Sequence, residues 1–331
     1  MILNFVEKIK QIYAVQDKHN HAVDLNLKEL QKIFPKVQDH QQLLFRLKYW
    51  QGQQHLKYDN VIFFIYFGLA LLSLLPVFII HPSFLIMTFL FLVLGVPRIR
   101  IENALNDFKE STKHFYIQHK YSLREHQNEG KNPVFPRDSF PLFNLGDQRN
   151  ELKNIQYGEW QLNEKNYPFM LFRYLYVIRK TKKNHTGKLE TTHEHLQLFG
   201  IMLKNFPARG VSISTHQKKN CRLGIKWSSG DIQFDNHYQL SGFSEIWLAK
   251  FFKPNHILHL ETALQDYQGD FYVEPQNCTL CWLFSENILH IENWNRNDST
   301  VVAFAEQLES LSMPHFEKFS ATLQKLILEL E

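Results

Sequence analysis

The pattern of apolar and polar positions divides the chain into stretches of different period. From Val61 to Ile80 it reads "VIFFIYFGLALLSLLPVFII", roughly 20 residues without a charge. As a helix rising 1.5 Å per residue, this run spans about 30 Å, the thickness of a bilayer's hydrocarbon. After His81-Pro82 a second apolar run, "SFLIMTFLFLVLGVP", continues to Pro97, before Arg98 and Arg100. Alone it is short, about 22 Å as a helix. One unbroken helix over both runs would reach about 55 Å, which no ordinary bilayer accommodates by tilting. Two arrangements remain: a second run that is re-entrant or interfacial, and a tight transmembrane hairpin with spans at about 61-80 and 83-97. The hairpin is the expectation, with His81 and Pro82 as its turn. Proline lacks an amide donor and holds the preceding residue in extended geometry, so a helix ends at His81.

The flanking segments read differently. Ile2, Phe5, Ile9 and Ile12 recur at helical spacing, Asn26 followed by Glu29 predicts a capping box opening a helix that Pro35 closes, and Leu43, Leu47 and Trp50 mark a third helix. Beyond the hairpin a polar helix over "RIENALNDFKESTKHFYIQHKYSLREHQ" leads into "NEGKNPVFPRDSFPLFNLGDQ", whose Pro, Gly and Asn content predicts a linker. From about residue 151 the period becomes that of strands. "FMLFRYLYVIRK" and "LETTHEHLQLFGIML" flank the loop-like "TKKNHTG", and "GVSIST", "CRLGIKW", "DIQFDNHYQL", "DFYVEP", "CTLCWLF" and "ILHIENW" continue the series. "KPNHILHLETALQDY" interrupts it as a helix with Pro254 in its first turn. The chain finishes in helix, where Phe316, Phe319, Leu323, Leu326 and Leu330 form one apolar stripe.

These elements predict an α+β fold: N-terminal helices, a two-helix transmembrane hairpin, and a C-terminal, mainly antiparallel sheet with packed helices. The expected organisation is a helical region at 1-57, the hairpin at 58-101, a helix and linker at 102-150, and a soluble α+β domain at 151-331.

Charge orients the hairpin. Arg46, Lys48 and Lys57 precede the first span and Arg98, Arg100, Lys109 and Lys113 follow the second, while the turn carries only His81. The positive-inside rule then puts both termini in the cytoplasm, with Tyr49, Trp50 and Tyr58 as an aromatic belt on that side. The net charge of +4 (37 Lys and Arg against 33 Asp and Glu) comes with no basic stripe, so nucleic acid is not an expected partner. Three cysteines, Cys221, Cys278 and Cys281, fit a reducing compartment, and the charged "MILNFVEKIKQIYAVQ" predicts no cleaved signal peptide.

Candidate chemistry is sparse. His193 and His195 lie two apart in a predicted strand, so both imidazoles point to one face and could approach a divalent metal; Thr191 and Gln197 share that face, which equally describes a solvated polar surface. His256 and His259 are three apart on a helix, outside any H-E-x-x-H. Cys278-Thr279-Leu280-Cys281 falls in a strand-like run with no second ligand pair, which favours packing over redox or zinc chemistry. Phosphate-loop, dinucleotide and nucleophile-elbow motifs are absent, so catalytic residues are unassigned and no cofactor is expected.

Several local patterns occur in a recognisable order: "SFPLFN" with "YGEW", then "LQLFGIMLKNFPARGVSIST", "FDNHYQL" and "FFKPNHILHLETAL", over about residues 139 to 290. In this the chain resembles a bacterial membrane protein family catalogued as domain of unknown function three-one-three-seven. It departs from the family pattern at Ser139, Tyr238 and Leu240. The resemblance implies architecture only: helical N-terminus, a close pair of membrane spans and a soluble α+β domain, with no assigned activity. The functional expectation is a binding or scaffold protein, not an enzyme. It would sit at the bacterial cytoplasmic membrane, with the lipid bilayer and a protein partner or second copy as its contacts. The alternative is a membrane-tethered metal-dependent hydrolase using His193 and His195.

Overall fold

Local chemistry and burial together produce the element order of the computed structural model, which describes residues 2–79, 82–125, 135, 140–183, 188–215, 224–295 and 297–331. Helices α1 (Ile2–Ile33), α2 (His40–Lys48), α3 (Val61–Ile79), α4 (Phe84–Gly95) and α5 (Asn103–Lys120) come first. Strands β1 (Arg149–Leu162), β2 (Lys165–Lys183), β3 (Leu189–Leu203), β4 (Val211–Thr215) and β5 (Ile225–Trp227) follow. Then come α6 (Ile232–His237), β6 (Tyr238–Gly242), α7 (Glu245–Phe251), α8 (Pro254–Asp266), β7 (Gly269–Val273), β8 (Leu280–Phe284), α9 (Val301–Ser310) and α10 (Pro314–Leu330). The fold is α+β, as expected. It divides into a helical unit, Met1–Lys120 with Asn293–Leu311, and a sheet unit, Tyr121–Glu292 with Ser312–Glu331.

In the helical unit, α1 runs unbroken through the predicted capping box. Asn26 is fully buried; its amide donates to the His55 carbonyl (3.0 Å) and accepts from Trp50 Nε1 (2.8 Å). Those distant partners occupy the side chain that a cap would need, so the helix continues to Ile33. Pro35 then sits in a single 3-10 turn, Phe34–Lys36, where it cannot prolong the α-helical ladder. The same face of α1 stitches down the chain ahead of α3: Asn20 exchanges two bonds with the Asp59 backbone (2.9 and 2.8 Å), and Gln16 accepts from Ile62 N (2.7 Å). Asp39 caps α2 by accepting from Gln42 N (2.7 Å), and Leu43 and Leu47 are buried as their spacing predicts.

Helix α9 packs here too, although it falls within the predicted C-terminal domain. Its buried stripe of Val301, Phe304, Ala305 and Leu308 meets the ring of Phe108 on α5, and Val301 N donates to the Gln54 carbonyl (2.9 Å). Lys109, counted above among the charges flanking the hairpin, is 2% exposed and donates to the Asp298 carbonyl (2.8 Å). Burial lowers its pKa and raises that of Asp298. This lysine therefore points into the helical unit and holds the α9 approach in place.

Among the described residues the sheet unit is built on eight antiparallel strands in the order β1-β2-β3-β8-β7-β4-β6-β5. One face is covered by α10, whose Phe319 meets Tyr267 (4.8 Å), Phe284 (5.0 Å) and Trp282 (5.4 Å) between ring centroids. Phe316, Leu323 and Leu326 are buried with it; Ile327 completes the stripe, while Leu330 is only half-buried. The other face carries a cluster of Met170, Phe172, Tyr174, Met202, Tyr272, Cys281 and Leu283. Phe140, Leu142 and Phe143, read above as linker, close over this cluster, with Phe143 stacked edge-on against Phe172 and Tyr174. Their burial moves the start of this unit back from residue 151.

Two predicted strands are otherwise. "DIQFD" folds as α6 because Asp231 accepts from Gln233 N and Phe234 N, capping a helical turn ahead of β6. "ILHIENW" contains no strand: Asn287 turns the chain, its side chain accepting from Leu289 N (3.1 Å) and its carbonyl from His290 N (3.3 Å).

Candidate functional site

Two features combine several side chains into an arrangement that does more than fill a core. The first is the pair α3 and α4, which pack antiparallel. Ser73 and Thr88 share a hydrogen bond (2.7 Å) in their interface, and Tyr66 faces Phe91 and Gly95. A Cβ on Gly95 would come within 2.9 Å of Tyr66 Cβ, so the close approach depends on that glycine. Ala70, Ser73, Thr88 and Gly95 are buried between the helices, whereas Phe64, Leu72, Ile86, Phe89 and Leu90 stand half or more exposed. The base of the pair is tied by Asn60, which accepts from Arg100 N (2.9 Å) and donates to Arg100 O (3.3 Å). Beside it Arg98 lies over the rings of Tyr13 (4.3 Å) and Tyr66 (5.6 Å). Of the turn residues, His81 lies outside the described residues; Pro82 is exposed, and its carbonyl accepts from Leu85 N (3.0 Å) to open α4.

Among the described residues one helical stretch, Phe84–Lys120, is long and apolar enough to cross a membrane, and Val61–Leu74 is a shorter apolar helix. The longer stretch is bent: a 3-10 turn at Val96–Arg98 and non-helical residues 99–102 separate apolar α4 from polar α5.

The second feature is a cleft of about 490 Å³ in the sheet unit, between Pro207–Arg209, α7, the start of α8 and the end of α10. Arg209 stacks its guanidinium 4.3 Å from the Trp247 ring, and Lys250, Lys253 and His256 line the same space. Gly210 has φ +62°, and a Cβ there would press within 3.1 Å of the Trp247 ring, so glycine permits both the turn and the indole's seat. His256 is 8% exposed and its Nδ1 donates to the Phe251 carbonyl (2.8 Å). Glu329 also lines the cleft but bonds His259 (2.8 Å). Glu331 is held by Lys165 (2.9 Å), Asn163 and Tyr167, and these bonds lower its pKa. The sequence pattern marked only His256 here, since the cations come from two separated segments, Arg209 in one and Lys250 and Lys253 in the other, and carry no motif.

The residues singled out for metal chemistry do not converge. His193 and His195 are exposed on one face of β3, as predicted, but the cross-strand neighbours on that face are Arg179 and Val177. A guanidinium opposite His193 works against cation binding. On the other face Glu194 pairs with Lys180. His256 and His259 have separate partners, and among the described residues no group of three metal-ligating side chains occurs. Cys281 is buried in β8 opposite Met202 and Tyr272, and Cys278 occupies a left-handed turn position (φ 50°). Cys221 lies outside the described residues. No family model, curated protein or solved structure matches the chain.

Proposed function

We propose that this protein is a membrane-anchored binding protein. In this reading α3 and α4 insert as a hairpin with its turn across the bilayer, and both termini and the sheet unit face the cytoplasm of a bacterial cell. One observation carries it: the pair hides Ala70, Ser73, Thr88 and Gly95 and presents Phe64, Leu72, Ile86, Phe89 and Leu90. In water that arrangement is unfavourable, because each exposed Phe or Leu forgoes about 1.5–3 kcal/mol of burial. In lipid it is the favoured one, since the tails satisfy the apolar exterior while small residues let the helices approach and a hydroxyl pair is bonded internally. Arg98, Arg100 and Lys57 at the base support the orientation. Recognition of a protein partner or a second copy by the sheet unit completes the reading, as does the resemblance to the uncharacterised membrane family.

Reporters fused after residues 57, 82 and 331, with alkaline extraction of the membranes, test it. The expected outcome is an extraction-resistant chain with cytoplasmic signal after 57 and 331 and periplasmic signal after 82. Release of the chain by alkali, or periplasmic signal after 331, overturns it.

A further inference from the structure

We propose that the cleft between α7, α8 and α10 binds a phosphate group. Three observations converge. Among the described residues Arg209, Lys250 and Lys253 make no ion pair, while the two carboxylates lining the cleft are already engaged, Glu329 by His259 and Glu331 by Lys165, Asn163 and Tyr167. The space therefore holds three cations without an ion-pair partner, beside two carboxylates whose oxygens are turned to other groups. Arg209 is also preset: stacking on Trp247 fixes the plane of the guanidinium and leaves its N–H edge available, the geometry that suits bidentate contact with an oxyanion. Finally, His256 is more than nine-tenths buried against the cleft with Nδ1 donating to Phe251, so Nε2 is the ring atom left for a ligand, an acceptor in the neutral ring that can take the P–OH proton of a monoprotonated phosphate. It sits in the first turn of α8, whose free backbone amides add partial positive charge.

A phosphate, with three or more acceptor oxygens and up to two charges, uses the Arg fork and both lysines together. A carboxylate offers two oxygens and one charge and leaves cations unmatched. Phe243 and Ile246, 54% and 65% exposed, precede Trp247 in the chain, and Phe243 N donates to the Gly210 carbonyl (2.9 Å). Exposed apolar side chains beside basic ones suit a lipid–water boundary, which favours a phospholipid headgroup over a soluble phosphate as the source. The inference uses the sheet unit alone and holds whether or not α3 and α4 cross a bilayer.

The full chain in nonionic detergent, titrated calorimetrically with inorganic phosphate, pyrophosphate, and short-chain phosphatidylglycerol or phosphatidylcholine, decides it. Saturable binding is expected, weakened about tenfold or more in Arg209→Ala and in Lys250→Ala/Lys253→Ala, and unchanged in Lys182→Ala on the distant hairpin. Arg209→Lys, which keeps the charge and loses the fork, is expected to be intermediate and guards against a misfolded alanine variant. Preference for phosphatidylglycerol identifies the lipid source and preference for the inorganic ions the soluble one; either supports the site. Absence of saturable binding to every probe, or equal affinity in folded Arg209→Ala and Lys250→Ala/Lys253→Ala chains, overturns it. Because the measurement is made in detergent, it can fail while the topology experiment succeeds, and the reverse.

Discussion

Phe89 on α4 and Phe319 on α10 are the same side chain in opposite settings: one is 68% exposed, the other fully buried. Around Phe319 the sheet unit buries its rings and exposes its charges, with Trp282, Phe284 and Tyr267 inside and Lys318 outside, paired with Asp266 (2.8 Å). Around Phe89 the order is inverted, with Thr88 and Gly95 inside and Leu85, Ile86 and Leu90 outside. The hydrophobic effect drives burial from water; packing at close range drives helix association where the surroundings are already apolar. On the proposed reading the two regions differ in solvent, and the contrast in burial follows from the solvent each would meet.

The comparison can be broken most sharply at the exterior of α4. Phe89→Lys/Leu90→Lys places two charges where lipid is proposed, at about 2.5–3.5 kcal/mol each near a helix centre, so the variant should leave the alkali-resistant membrane fraction. Retention there would mean that this face does not meet lipid. Next in size is the pair Phe319→Ala and Phe89→Ala, compared by urea unfolding of the detergent-solubilised chain. The first should cost about 3–5 kcal/mol, the second less than about 0.5 kcal/mol. Similar costs would erase the distinction between the two settings.

A smaller effect tests the polar joint ahead of α3. Burial and the bond to Asp24 (2.6 Å) push the Tyr58 phenol up to about 12. The folded chain thus holds this proton after the unfolded chain releases it near 10, and the stabilisation is complete below about pH 10 and lost as pH rises towards 12. Tyr58→Phe should remove that part of the alkaline slope in a pH series of unfolding midpoints, at a cost near neutrality of about 1 kcal/mol. An unchanged slope would show that Tyr58 does not carry it. Smallest is the hydroxyl pair: Ser73→Ala/Thr88→Ala should weaken the helix pair by about 0.6 kcal/mol, read as faster exchange of the α3 and α4 amides. No change in exchange would mean that close packing alone holds the pair.

Much of the sheet unit was legible because its signals are local. The β2–β3 hairpin, the first turn of α8 at Pro254 and the stripe on α10 follow from alternation, a fixed φ and helical spacing. Asn26 misled because the same amide serves as a helix cap or as a tertiary donor, and only the presence of His55 and Trp50 decides. Phe140, Leu142 and Phe143 misled because a Pro- and Asn-rich context describes turn geometry and says nothing about whether the rings between the turns find a core. The cleft was invisible for a related reason: Trp247, Lys250 and Lys253 recur three apart like many surface helix residues, and only the fold brings Arg209 to them.

The sequence by itself determined the α+β class, the position of the two apolar helices and most strands, since these depend on spacing within one segment. Tertiary structure decided that α9 joins the helical unit, that Lys109 is spent inside it, and that three cations gather beside an indole while their neighbouring carboxylates are engaged elsewhere. Such facts depend on which distant groups meet, and whether a charge is neutralised or left available is a property of the meeting, not of the residue.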